Sequence, residues 1–250
     1  LTDAERARLY PEAYRKAPTV KGAPAGVRVV DFEGDVDKAV ITGMVDSGAA
    51  LAARVKSAVD MIRRHVPDLV FGGFTPAGNF HGVNIDGKVF VNYLATHQLA
   101  LETVKQERIT YAEAFARHMT DVLIHESAHY AVRGHGADFK AEMARITEAL
   151  GKPAVRAIVR DFMEYGSQET RRAKTNQLYE KALPGWREGE RRGRQAADAG
   201  TEGRGRPDAR ESERVQRGPR SDTRGDPDAR GDDGRTGDLF EASGAAADDV

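Results

Sequence analysis

Two histidines four residues apart, with a glutamate directly after the first, make up the segment whose residue types and spacing most clearly dictate a chemistry: His125-Glu126-Ser127-Ala128-His129. Four residues is close to one helical turn, so on an α-helix the two imidazoles leave one face with Cβ atoms about 6 Å apart and can share an ion at roughly 2.0 to 2.1 Å. Glu126 then lies about 100° round the helix from His125 and reaches a water at the ion without being a ligand itself. A third ligand has to come from outside the helix. His135 follows in Arg133-Gly134-His135-Gly136, where the glycines are expected to break the helix and let the backbone turn back. The chain has no cysteine, so thiolate sites and disulfides are excluded and every ligand must be His, Asp, Glu or backbone oxygen. The expectation is one zinc ion per chain on His125, His129 and His135. Such a site keeps an open position for a water whose pKa falls to about 7, with Glu126 as its general base.

Four nearby residues could assist. His118 shares the ligand face but precedes His125 by two turns, about 10 Å along the axis, which suits a supporting or core residue better than a ligand. Asp121, one turn before His125, either hydrogen-bonds an imidazole or faces solvent. Asp138 could orient His135, replace it as a ligand, or cap the next helix. Tyr165 could donate to an oxyanion or simply pack.

These residues need elements to hold them. Thr110 and Glu113 form a T-x-x-E capping box, so a long helix is predicted from there to about Arg133, buried almost all round. Phe139, Met143, Ile146 and Leu150 recur as one face of a following helix, and Gly151 with Pro153 separates it from another carrying Val155, Ile158, Val159 and Phe162. A last helix is expected to end at Leu183. Upstream, Leu1 to about Pro18 reads as a peripheral helix interrupted at Pro11, Val27–Phe32 as a strand, Ser47–His65 as a helix stopped by Pro67, and Leu69–Phe74 as a strand. Asp86-Gly87 between the alternating pairs Val83, Ile85 and Val89, Val91 is a hairpin signal, so a small twisted sheet is expected.

At the histidine motif the chain resembles the zincin metallopeptidases. The spacing to His135 is that of the metzincins, but Val132 stands where they carry glycine, and Met163 lies in a predicted helix instead of a Met-turn. The segment Gly134-His135-Gly136-Ala137-Asp138-Phe139 is closer to compact zincins of the SprT and WLM type, including domains carried by phage and plasmid proteins. The resemblance is specific over Asp121–Met143. It implies an α+β, zincin-like domain whose short twisted sheet packs on the active-site helix, and hydrolysis of peptide bonds in an extended substrate paired to an edge strand, for which Val89–Tyr93 is the candidate. SprT proteins often add a cysteine zinc ribbon, which this chain lacks. The rival readings are a zincin-fold module that binds protein or DNA with little or conditional activity, and a zinc hydrolase acting on other bonds.

Composition bounds the rest. Lys and Arg total 38 against 39 Asp and Glu, so net charge offers no attraction for nucleic acid or anionic membrane, and DNA association is unsupported. With no apolar run of signal or membrane-spanning length, a cytoplasmic location is expected; a protein or peptide substrate is what the zincin resemblance implies. Residues 1–183 are expected to form the domain, with its core in about 25–183. Residues 184–250, rich in Gly, Arg, Asp and Ala, are expected to be a disordered, low-complexity tail. Within that tail, the GRPDAR and GDPDAR near-repeats and two Arg-Gly-Asp triplets read as accidents of composition. Asp238-Leu239-Phe240 resembles the end of sliding-clamp ligands.

Overall fold

The hairpin sets the register of the sheet. In the computed structural model, which describes residues 3–24, 26–32, 34, 36–76 and 80–202, strand β3 (Gly82–Ile85) pairs antiparallel with β4 (Lys88–Val91), Ile85 opposite Lys88. Asp86 and Gly87 both have positive φ, 50° and 80°. That is the primed turn whose twist matches the flanking strands. Strand β2 (Val70–Phe74) runs parallel to β4 on its other side, and the two-residue β1 (Arg28–Val29) parallel to β2, giving the order β1-β2-β4-β3. The expected first strand is thus shorter than Val27–Phe32. The expected edge Val89–Tyr93 is not an edge: β4 is central, Asn92 caps a helix and Tyr93 begins it. Because Val89, Phe90 and Val91 are all fully buried, this segment is a central strand covered on both faces. Among the described residues, β3 lies at one edge of the sheet with no strand paired on its outer side.

One sheet face carries Val30, Phe32, Val83, Ile85 and Phe90, which pack with Tyr10, Ala17 and the partly buried Tyr14. Tyr10 and Tyr14 belong to α1 (Asp3–Lys16), which continues through Pro11. The N-terminal helix is therefore part of a second core and not peripheral. The other face carries Phe74, Val89 and Val91, which join the main core. Helices α2 (Lys38–Ser47) and α3 (Ala49–Ile62) divide the expected Ser47–His65 segment near its start, at Gly48. Two further helices, α4 (Tyr93–Gln106) and α5 (Tyr111–Ala128), pack against each other. The α5 helix opens as the capping box predicts, with the Glu113 amide donating to Thr110 Oγ1 at 3.2 Å. It is buried on nearly every side, so its residues are fixed by the fold and not by solvent.

The chain from Ala137 to Ser167 forms α6, broken at Gly151, whose φ of 74° and ψ of 155° are not helical. Gly151 and Pro153 were the expected punctuation. The last helix, α7, spans Glu169–Glu202 and runs through Pro184, so the expected end at Leu183 is not an element boundary. Trp186 lies beyond it, and its Nε1 donates to the Pro76 carbonyl at 2.9 Å while its ring meets Tyr179 edge-on. A compact unit ends at Arg191, and the described part of the second unit, from Arg192, is helical. The near-repeats, the Arg-Gly-Asp triplets and Asp238-Leu239-Phe240 lie outside the described residues. Among those described, no helix is long and apolar enough to cross a membrane.

Candidate metal centre

His125 occupies the last turn of α5 and His129 caps its C-terminus. The helical turn between them brings their Nε2 atoms to 3.2 Å. The chain then leaves the helix through a tight turn in which the amides of Tyr130 and Ala131 donate to Ser127 and Ala128. Neither Gly134 nor Gly136 has a positive φ, and a side chain at either would meet nothing within 4 Å. The turn, and not glycine conformation, ends the helix and returns His135, whose Nε2 also stands 3.2 Å from that of His125. The three ligand atoms lie within 4.8 Å of one another, and among the described residues this is the cluster of three or more His, Asp or Glu able to hold a metal ion.

The protonation pattern suits that use. His129 Nδ1 sits 3.0 Å from the Val132 carbonyl. A carbonyl only accepts, so Nδ1–H donates to it and the Nε2 lone pair is left facing the cluster. Burial pushes the His125 imidazole down to about 4, helped by the adjacent His129, His135 and His81. His125 is therefore neutral at physiological pH, the form that ligates. Phe139, in the first turn of α6, contacts all three imidazoles, with ring centroids 4.8, 4.5 and 5.0 Å from those of His125, His129 and His135. It forms an apolar wall behind the cluster while His135 remains exposed on the open side.

Glu126 is not in the cluster. It is 5% exposed and lies against the start of β3, where a Cβ on Gly82 would fall 2.7 Å from its Cγ and 3.0 Å from Oε1. Asn84, two residues along β3, donates from Nδ2 to the Glu126 carbonyl at 2.8 Å and accepts the Gly87 amide at 3.0 Å. The free edge of the sheet, the hairpin turn and the helix carrying Glu126 are thereby tied together. Sequence reasoning missed Gly82 and Asn84, which act across long sequence separations, and the reach of Phe139 onto all three imidazoles.

The four auxiliary candidates separate clearly. His118 is buried and its Nε2 is 2.7 Å from Thr103 Oγ1 on α4. Burial, then the neighbouring Arg117 and His81, push His118 down to about 4. Asp138 is exposed in the first turn of α6, outside the cluster. Tyr165 stacks on Phe115 at 5.8 Å, about 15 Å along α5 from His125, so it packs and has no reach to the cluster. Asp121 is buried, which rules out the solvent-facing alternative, and burial raises its carboxyl to about 7 against the opposing effect of Arg117. Comparison with known proteins returns no match: no family profile, no curated protein and no solved structure is similar to this chain.

Proposed function

We propose that this chain is a zinc-dependent peptide hydrolase of the zincin type, with His125, His129 and His135 as ligands and Glu126 as the catalytic base. The observation that carries the reading is the convergence of three imidazole Nε2 atoms beside a buried carboxylate that is kept out of their cluster. Tetrahedral ligands at 2.0 to 2.1 Å stand roughly 3.3 to 3.4 Å apart; His125 Nε2 is 3.2 Å from each of the other two, and all three ligand atoms lie within 4.8 Å of one another. Neutral imidazoles at that spacing can share an Nε2–H between them, and once that proton moves to Nδ1 their lone pairs converge on a common point where a cation can sit. The all-imidazole donor set suits zinc among the common metals, whereas magnesium and calcium prefer oxygen. Bound zinc supplies Lewis acidity, lowering the pKa of a coordinated water to about 7 and polarising a carbonyl.

The protein's own groups supply the rest. Glu126 takes the proton of the attacking water on its carboxylate and delivers it to the leaving amine, so the carboxylate must point into the cleft and stay dry. The β3 edge offers the means of holding an extended substrate. His81 accepts the Asn92 amide at 2.8 Å, and antiparallel pairs alternate, so His81, Val83 and Ile85 bond inward to β4. The backbone groups of Gly82 and Asn84 therefore face outward, without a backbone partner among the described residues and placed to pair with a peptide beside Glu126.

Glu126→Gln tests the reading. It keeps shape and hydrogen-bonding capacity but removes the base. Zinc content and melting temperature should match the parent, while cleavage of unfolded casein falls by about 10² to 10⁴. A Gln form that holds zinc and cleaves at the parent rate would refute the assignment. A zinc-loaded parent that cleaves nothing but retains bound peptide would favour the binding module.

A further inference from the structure

Among the described residues, Asp121 Oδ1 is a buried side-chain oxygen with no hydrogen-bond partner. Native proteins rarely leave such an atom unmet, so it calls for a specific explanation. Asp121 is 7% exposed and sits on α5 one turn before His125. The two residues are about 40° apart round the helix. Helical side chains lean towards the N-terminus, so the His125 imidazole lies over the turn that carries Asp121.

His125 has a matching deficit. Its Nε2 faces the Nε2 atoms of His129 and His135, and its Nδ1 makes no hydrogen bond among the described residues. When Nε2 ligates a metal, Nδ1 carries the proton and becomes a donor. His129 has met that need through Val132. One unmet acceptor and one donor-to-be thus share a helix face, a turn apart. Arg117, one turn back, acts on the Asp121 carboxyl through its charge while its Nη1 bonds Glu107 at 2.9 Å, and His118 Nε2 is with Thr103.

We infer that Asp121 is a positioning residue for the metal centre, its carboxylate accepting the Nδ1–H of His125 in the metal-loaded protein. The bond fixes the tautomer and ring angle of His125 and raises its basicity as a ligand, the service carboxylates commonly give to metal-bound imidazoles. The inference rests on the zinc reading above. It also gives a role to a carboxyl that is buried with one oxygen unmet.

The test compares the full-length parent with Asp121→Leu and Asp121→Ala, which have no acceptor, and Asp121→Asn, which keeps one. Zinc affinity is measured by chelator competition, and melting temperature on the metal-free forms. The Leu form should be at least as stable as the parent without metal, because an unmet buried oxygen has been replaced by apolar volume, yet bind zinc 10- to 100-fold more weakly. The Ala form should bind equally weakly, and Asn should restore most of the affinity. In the cobalt-substituted protein the visible ligand-field bands should shift for Leu and Ala but hardly for Asn. Zinc affinity equal to the parent's in both acceptor-free variants would overturn the inference while leaving the zinc reading intact. Affinity that falls only in step with metal-free stability would also overturn it. A parent that binds no zinc would overturn both.

Discussion

A single methyl group at Gly82 should disable the site without touching a metal ligand. The φ of Gly82 is not positive, so alanine there carries no backbone penalty and the effect is steric. Its Cβ would fall 2.7 Å from Glu126 Cγ, where ordinary contact begins at 3.4 Å, a shortfall of 0.7 Å. The helix cannot easily recede, because α5 is buried nearly all round and Asn84 holds the Glu126 carbonyl at 2.8 Å. The side chain must therefore swing, moving the carboxylate on the order of 1 Å. Misplacement of that size costs about 10²-fold in rate, or roughly 2.7 kcal/mol of barrier. Glu126 is outside the ligand cluster, so Gly82→Ala should keep its zinc and show the loss in kcat rather than KM. Steady-state cleavage of a labelled unfolded protein, with zinc content measured on the same preparation, reads this out. In a Glu126→Gln background the same substitution should have no further effect on rate, since the group it displaces is already inert. Parent kcat in the zinc-loaded Gly82→Ala protein, or full additivity in the double variant, would show that catalysis does not depend on Glu126 lying against β3.

His135→Ala should lose the zinc that the parent retains through dialysis, measured by metal analysis; tight retention would move the third ligand elsewhere, with Asp138 first in line. Without metal, stability should fall as pH drops from 6.5 towards 4, because unfolded histidine takes up protons that His118 and His125, both held at about 4, refuse. Asp121, raised to about 7, works in the opposite direction over the same range, and His118→Gln should make the acid loss of melting temperature shallower. Ending the chain after Leu183 removes the Trp186 bond to Pro76 and should cost about 1 to 2 kcal/mol, roughly 2 to 8 °C in melting temperature, whereas ending it after Glu202 should cost nothing.

Local chemistry was readable and tertiary context was not. The turn at Asp86-Gly87, the Thr110 cap and the pairing of His125 with His129 each follow from spacings of four residues or fewer. His135 could be named because it is close in sequence, although the reason offered for its return, glycine conformation, was not the one that operates. Helix α4 went unseen because strand β4 passes into it with no Gly or Pro between them. The signal that could have found it is Asn92, whose Oδ1 caps the amide of Ala95 at 3.1 Å. The same run misled the edge-strand assignment: Val89 and Val91 alternate, but Phe90 between them is also apolar, the pattern of a strand covered on both faces. Beyond Pro184, low hydrophobicity suggested disorder, while one indole supplies an anchor that composition averages away.

Glu126, the proposed base, differs from the three histidines in what positions it. The ligand geometry is almost self-contained, a helical turn, a tight turn and Phe139, all within fifteen residues of one another. Such a unit brings nitrogens together whatever surrounds it. Glu126 leaves the helix on a different bearing, and what decides its role is the β3 edge, whose Gly82 and Asn84 are 44 and 42 residues away. With a larger residue at Gly82 the motif would still gather three imidazoles, but the carboxylate would be turned aside. On the proposed reading, the sheet is what would turn a helix able to hold a metal into a site where base and substrate strand meet. For that reason the motif alone argues for a metal, and its register against β3 argues for hydrolysis.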